Sequence, residues 1–364
     1  MYLPEILVTV SGESISTVED WETFRKPEIL GLFSQNVYGV RPMERPEDLA
    51  FQEEKRQGGF LDGLATYIKT RICFHNYSFP VQLFLPKNAT GPVPAFVYIM
   101  LSNQSKRYDL EKDANPEVVP LTNIVSRGYA VAVFSVDDVD PDRYDGFQDG
   151  IHGALQPPAL RTSASWGTIS AWAWGASRVL DYLETVPEVD SGHVGIVGHS
   201  RGGKTALWCG ATDTRFRMVV SNDSGCTGAA VSRKKDGETV KAINEAFPHW
   251  FCENYKKYGE NEDMLPVDQH MLLALIAPRA LYVSSASEDD LACPRNELLS
   301  CRTAGEVYEL YGLDGLILPK PRTTNTSYQS GQIAYHCRAG EHAITQLDWS
   351  KFLDFADKHL KSNN

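Results

Sequence analysis

A chain of 364 residues, 42% hydrophobic and 23% charged, is long enough to bury a full core as one large domain, and this composition excludes a disordered polymer. The formal net charge of -12 argues against a nucleic-acid partner, because binding a phosphate backbone requires a basic face. Seven cysteines without C-x-x-C pairs fit neither a zinc site nor a disulfide framework, and most are expected to be buried thiols.

The first residues, starting at Met1, contain no basic n-region and no apolar h-region, so no signal peptide is expected in the chain as given. Either a cytoplasmic location or secretion with the signal removed is compatible with that. No stretch approaches the length of a membrane span. Residues 1–60 read as a lead-in, a short helix and loop around Trp21 and 25–30 that packs on the body. Between 64 and 85 the pattern changes to two strands, 65–68 and 81–85, separated by the turn residues 76–78, as in an antiparallel edge. The runs 95–101 and 129–134 are continuously apolar, which is expected for parallel strands covered on both faces. Between them 120–127 has helical spacing, with Gly128 as its C-terminal stop. The loop 102–105 is either a source of an oxyanion N–H or a plain polar loop. The acidic run 137–142 lacks the glycine and closing glutamate of a calcium loop and is expected to be solvated surface.

The spacing of Ile169, Ala173, Ala176, Val179, Leu180 and Leu183 predicts an amphipathic helix over 166–186, followed by a strand over 193–197. That strand runs into Gly198-His199-Ser200-Arg201-Gly202, and a helix-forming run begins after Gly203. A serine on a sharp strand-to-helix turn flanked by glycines is a nucleophile elbow, and the first N–H groups of the following helix form half of an oxyanion hole. Another strand follows at 217–221. The aromatic stretch 233–266 is too long for a plain connection and reads as an inserted cap or substrate loop, with the basic residues Arg233, Lys234 and Lys235 as solvated loop. The scaffold resumes with a helix over 268–276, a strand over 280–284 and a last helix over 348–360.

In a serine hydrolase of this order the acid and the base follow the nucleophile. Of the histidines after Ser200, His342 lies in a glycine-bearing loop before the last helix, where the general base belongs, and His336 is its rival. His270 and His359 read as structural. Two carboxylates compete as the acid. Glu288 directly follows the strand 280–284, and Asp223 follows the strand before it. The expected architecture is one α/β-hydrolase domain over 1–364, a three-layer αβα sandwich on a mostly parallel sheet.

The run Gly198-His199-Ser200-Arg201-Gly202-Gly203-Lys204, with residues 265–272 and Ala277-Pro278-Arg279, resembles the glucuronoyl esterases of carbohydrate esterase family 15, especially the bacterial members. The resemblance runs from about Trp21 to the last helix. It implies hydrolysis of the ester between a 4-O-methyl-glucuronic acid on xylan and a lignin alcohol. Carried over residue by residue, Ser200 is the nucleophile, His342 the base, Arg201 the arginine that helps hold the oxyanion and Lys204 the lysine that bonds sugar hydroxyls. Glu238 and Trp250 match further sugar contacts, with a loop carboxylate and a core aromatic as their plain alternatives. The acid falls at Asp223 in the fungal arrangement and at Glu288 in the bacterial one. The bridging cysteines of fungal relatives are replaced by His199 and Ala343, and the tryptophan that lines the sugar site is replaced by Leu291. The expected partner is therefore a carbohydrate ester met by a monomer, with no metal, cofactor, nucleic acid or membrane. An acetyl xylan esterase is the alternative within the same chemistry, and a non-catalytic carbohydrate-binding homologue is the alternative outside it. The latter would fit if Glu288 and Asp223 both point away from His342.

Overall fold

Successive side chains of a strand leave on opposite faces, and in Val93–Met100 both faces are apolar. Ala95, Val97 and Ile99 enter one core with Trp172, Ala206 and Leu207, while Phe96, Tyr98 and Met100 enter a second core with Trp349 and Phe352. The strand therefore lies inside a sheet covered on both sides. The computed structural model describes residues 3–112, 116–233, 236–319 and 323–361.

Ten strands make this sheet: β1 Ala50–Phe60, β2 Ala65–Phe74, β3 Tyr77–Pro86, β4 Val93–Met100, β5 Ala130–Ser135, β6 Val189–His199, β7 Phe216–Asn222, β8 Ala280–Ala286, β9 Ser327–Tyr328 and β10 Ile333–Arg338. Their order is β1-β2-β3-β5-β4-β6-β7-β8-β10-β9. From β5 to β10 all neighbours are parallel, whereas β1, β2 and β3 form an antiparallel edge and β9 closes the other side antiparallel to β10. The helices Thr168–Leu183 and Arg201–Thr212 cover one face, and Leu121–Ser126 and Gln346–His359 cover the other. This is the α/β-hydrolase sandwich that the apolar runs imply.

The lead-in differs from its expectation. It holds helical turns from Val18 to Tyr38, but it also supplies β1, whose Glu53, Glu54, Lys55 and Arg56 are exposed and leave no apolar alternation to read. A charged outer strand protects a sheet edge from pairing with other chains. The acidic run also differs, because Asp140 and Asp142 are buried rather than solvated. Asp140 accepts from Thr168 Oγ1 at 3.0 Å, pairs with His152 Nδ1 at 2.8 Å, and its carbonyl accepts from Trp172 Nε1 at 2.7 Å. None of the seven cysteines forms a disulfide, and Cys209, Cys226, Cys252 and Cys301 are buried. Among the described residues no helix is long and apolar enough to cross a membrane. Lys234 and Lys235, expected as solvated loop, lie outside the described residues.

Candidate active site

The parallel strands end in register, and the site is assembled where they end. Ser200, immediately after β6, sits at φ 56 and ψ -125, a conformation an L-residue holds only when its surroundings enforce it. Two contacts do so. Ser200 N–H donates to Asn222 O at 2.8 Å, and a Cβ at position 198 would lie 1.9 Å from Gly202 O, so only glycine lets the chain fold back so tightly. The helix Arg201–Thr212 then starts directly beneath the serine.

A cleft of about 270 Å³ gathers Ser200, Arg201, Lys204, Asp223, Glu238, Trp250, Leu291 and His342, eight of the nine residues expected at the site, together with Ser224, Gly225, Phe247, Asp289 and Ala292. The ninth, Glu288, is not among them. Its side chain is exposed, and its backbone N–H is spent on Gly340 O at 3.0 Å. The carboxylate that meets His342 is the next one, Asp289, with Oδ2 2.5 Å from Nδ1. The turn after β8 explains the one-residue displacement. Asp289 N–H closes back on Ala286 O at 3.2 Å and its Oδ1 accepts the Ala292 N–H at 3.0 Å, which rotates Asp289 inward and Glu288 outward. Burial works to raise the Asp289 pKa, but the hydrogen bonds from His342 and from the Ala292 N–H outweigh it, so its carboxyl lies below the usual range.

Asp223 approaches the same histidine without bonding to it. One ligating atom each from Asp223, Asp289 and His342 lies within 4.8 Å of the others. Asp223 Oδ2 instead accepts from Ala343 N–H at 3.3 Å and pairs with Arg338 at 3.5 Å, while Oδ1 is buried without a partner. Burial, with Glu297 nearby, pushes its pKa up to about 9, so at neutral pH it carries a proton.

His342 is held by a residue that no motif announces. The buried Arg338, the last residue of β10, donates to the carbonyls of Ala339, Glu341 and Ala343, which bracket the histidine, and pairs with both Asp223 and Asp348. On the other side the His199 ring lies 4.6 Å from the His342 ring, with Nδ1 2.6 Å from Asn222 Oδ1. Burial, reinforced by His342, pushes the His199 pKa down to about 3, so this neighbour stays neutral. His336, the rival base, is fully buried between Tyr282 OH at 2.9 Å and Asp348 at 2.8 Å, a structural position.

Lys204 reaches the cleft from the first turns of the elbow helix and donates to Ser224 O at 2.5 Å and Cys226 O at 2.6 Å. Burial lowers its pKa and the charge of Glu238 works against that. The insert does carry its own helices, Val240–Ala246 and the short turns Glu253–Tyr258 and Glu262–Met264. Its Trp250 stacks on Phe247 at 3.7 Å, and the carbonyls of His249 and Trp250 accept the Thr168 and Ile169 N–H groups, which ties the cleft wall to the start of a core helix. Leu291 is 70% exposed on the rim. Asp142, expected in solvated surface, is the third residue that sequence reasoning missed, after Asp289 and Arg338. Its carboxylate receives Trp250 Nε1 at 2.8 Å and His249 Nε2 at 3.1 Å and is paired with Arg201 Nε at 2.7 Å. Residues 102–105 begin a helix, Ser102–Arg107, and do not line the cleft.

A family model described as "Glucuronyl esterase, fungi" matches residues 73–312. A carbohydrate esterase from an unknown prokaryotic organism is 35% identical over 98% of this chain and 89% of its own. The chain belongs to carbohydrate esterase family 15. Among solved structures, a glucuronoyl esterase from Solibacter usitatus shares 35% identity, covers 98% of this chain and 97% of its own, and superposes with a TM-score of 0.91. A family 15 esterase described as promiscuous, from a marine bacterial metagenome, shares 36% identity over 98% of this chain and 97% of its own, with a TM-score of 0.87. A fungal 4-O-methyl-glucuronoyl methylesterase from Wolfiporia cocos is 31% identical over 85% of this chain and 72% of its own.

Proposed function

We propose that this family 15 carboxylic-ester hydrolase cleaves esters of glucuronic acid, with the acyl group on xylan and an alcohol of the lignin type leaving. The observation that carries the reading is the His342–Asp289 pair facing the Ser200 elbow in a cleft that also presents Arg201 and Lys204. His342 takes the Ser200 proton as Oγ attacks the ester carbonyl, and Asp289 keeps the imidazole in the tautomer whose Nε2 is the base. The peptide N–H at the start of the elbow helix and the Arg201 guanidinium meet the negative charge that develops on the carbonyl oxygen. His342 returns the proton to the departing alcohol, and water repeats the sequence to free the acid. Lys204 has three donors and spends two on carbonyls, which leaves one for a sugar hydroxyl. Glu238 and the edge of Trp250 complete the sugar side. Glu288 turns away from His342 and Asp223 does not bond to it, the arrangement under which a non-catalytic homologue would fit, but Asp289 offers a third carboxylate to the histidine, and this supports the catalytic reading. The relatives named above give no support to the acetyl-ester alternative.

Initial rates on benzyl glucuronate and on a small acetyl ester test the proposal. A kcat/KM at least about 100-fold higher for the glucuronate, roughly 2.7 kcal/mol of discrimination, is the expected result. Preference for the acetyl ester would replace it.

A further inference from the structure

Hydrolysis of a uronate ester turns a neutral group into an anion at the same spot. Water adds to the acyl carbon, the bond to the alcohol oxygen breaks, the alcohol keeps one proton, and the acid loses the other at neutral pH. An arginine beside that carbon presents a difficulty, because a guanidinium grips a carboxylate through two parallel N–H bonds more tightly than it grips a neutral ester. The product would be retained.

Asp142 resolves this. Resting on the reading of the substrate as a uronate ester, we propose that Asp142 is a specificity-determining residue that occupies the Nε edge of Arg201 and neutralises its charge, so that the cleft releases the carboxylate product. The ion pair is direct, Oδ2 to Nε at 2.7 Å, a contact of charges without an Nε–H hydrogen bond, and its carboxylate side is nearly inaccessible to water. Asp142 is also immobilised. Trp250 and His249 fix its other oxygen, at 2.8 and 3.1 Å, and its own N–H is bonded to Asp137 Oδ1 at 3.2 Å. It cannot swing away when an anion arrives. Burial raises its pKa, but the hydrogen bond from His249 and the charge of Arg201 outweigh that, so the carboxylate is ionised. The rest of the cleft agrees with this role. The other cation, Lys204, is opposed by Glu238, and Asp289 adds a further negative charge. Arg201 with its edge filled still presents its outer nitrogens to a developing oxyanion, which needs hydrogen bonds in the transition state but no net positive charge in the ground state.

The test is calorimetric titration of sodium glucuronate, and of neutral methyl glucoside as comparator, into the whole wild-type protein, Asp142→Asn, Asp142→Glu and the Asp142→Asn/Arg201→Met double variant. Asp142→Asn should bind glucuronate at least tenfold more tightly than wild type with less than a twofold change for the glucoside, and Asp142→Glu should return to wild-type values. The Asp142→Asn/Arg201→Met double variant, which removes both charges of the pair, should bind glucuronate within threefold of wild type, because the pair carries no net charge. Equal changes for both ligands in Asp142→Asn would make Asp142 a merely structural support and overturn the inference. Should Asp142→Asn fail to fold, the Asp142→Asn/Arg201→Met double variant decides alone: a tenfold loss of glucuronate affinity would mean the arginine charge is open to the product. Failure of the substrate reading is seen separately, as an absence of benzyl glucuronate hydrolysis by the wild type.

Discussion

Lys204→Met isolates what a buried cation does here, because methionine keeps most of the apolar stem and removes only the charge and its donors. The ammonium serves Ser224 O at 2.5 Å and Cys226 O at 2.6 Å, and both residues are nearly inaccessible to water. Leaving two buried carbonyls unpaired costs about 1–3 kcal/mol each. Relief of burying a charge, visible in the lowered Lys204 pKa, returns part of this. A net loss of about 2–4 kcal/mol follows, roughly 3–5 °C in Tm for a chain of this size. The same two carbonyls belong to the loop that lines the cleft, which is also held by Glu297 on Gly225 N–H at 2.9 Å and by Tyr38 OH on Thr227 O at 2.8 Å. A loosened loop and a missing sugar donor both weaken ground-state binding, so KM for a glucuronate ester should rise about tenfold with a smaller change in kcat. Scanning calorimetry with steady-state kinetics checks both halves. A Tm within 2 °C of wild type, or a loss confined to kcat, would refute the reasoning.

Two further outcomes follow from the same geometry. Asp223, whose pKa is pushed up to about 9, binds a proton in the folded state that the unfolded chain gives up near pH 4. The stability it contributes is therefore complete below about pH 4 and falls as pH rises toward 9. Asp223→Asn, which imitates the protonated form, should match wild type at pH 4 and melt at least about 2 °C higher at pH 8, and a Tm difference independent of pH would contradict this. Leu291→Trp should restore a stacking face at the rim, worth about 0.5–1.5 kcal/mol, and lower KM for methyl glucuronate roughly 2- to 10-fold while leaving acetyl-ester kinetics unchanged. No effect on the glucuronate KM would place the sugar elsewhere.

The scaffold was legible because its signals are local. The runs 95–101 and 129–134 are apolar without alternation since both faces of those strands are covered, and the glycines around Ser200 are demanded by a turn that admits no Cβ at 198. The strand β1 was not legible, because an exposed edge strand has no buried side to give it a period. Ser200, Arg201, Lys204, Asp223, Glu238, Trp250, Leu291 and His342 were singled out from the elbow, the chain order and the family pattern, and one cleft collects them. The carboxylate that meets His342 lies one position beyond the expected one because Glu288, Asp289 and Asp290 are three carboxylates in a row, and the hydrogen bonds of the turn, invisible in residue types, decide which one faces the histidine. Asp142 lay inside a run that reads as solvated, and Arg338 is a lone arginine. Their meaning comes only from partners 59 and 115 positions away, Arg201 and Asp223.

The central claim is that Asp289 orients His342 over Ser200, and kcat/KM of Asp289→Asn beside Glu288→Gln on benzyl glucuronate tests it most directly. Asp289→Asn should lose about 10^2- to 10^4-fold, the scale of a general-base assembly, while Glu288→Gln stays within about threefold, since its side chain is exposed and reaches no part of the cleft. A collapse in Glu288→Gln with near-normal turnover in Asp289→Asn would contradict the account.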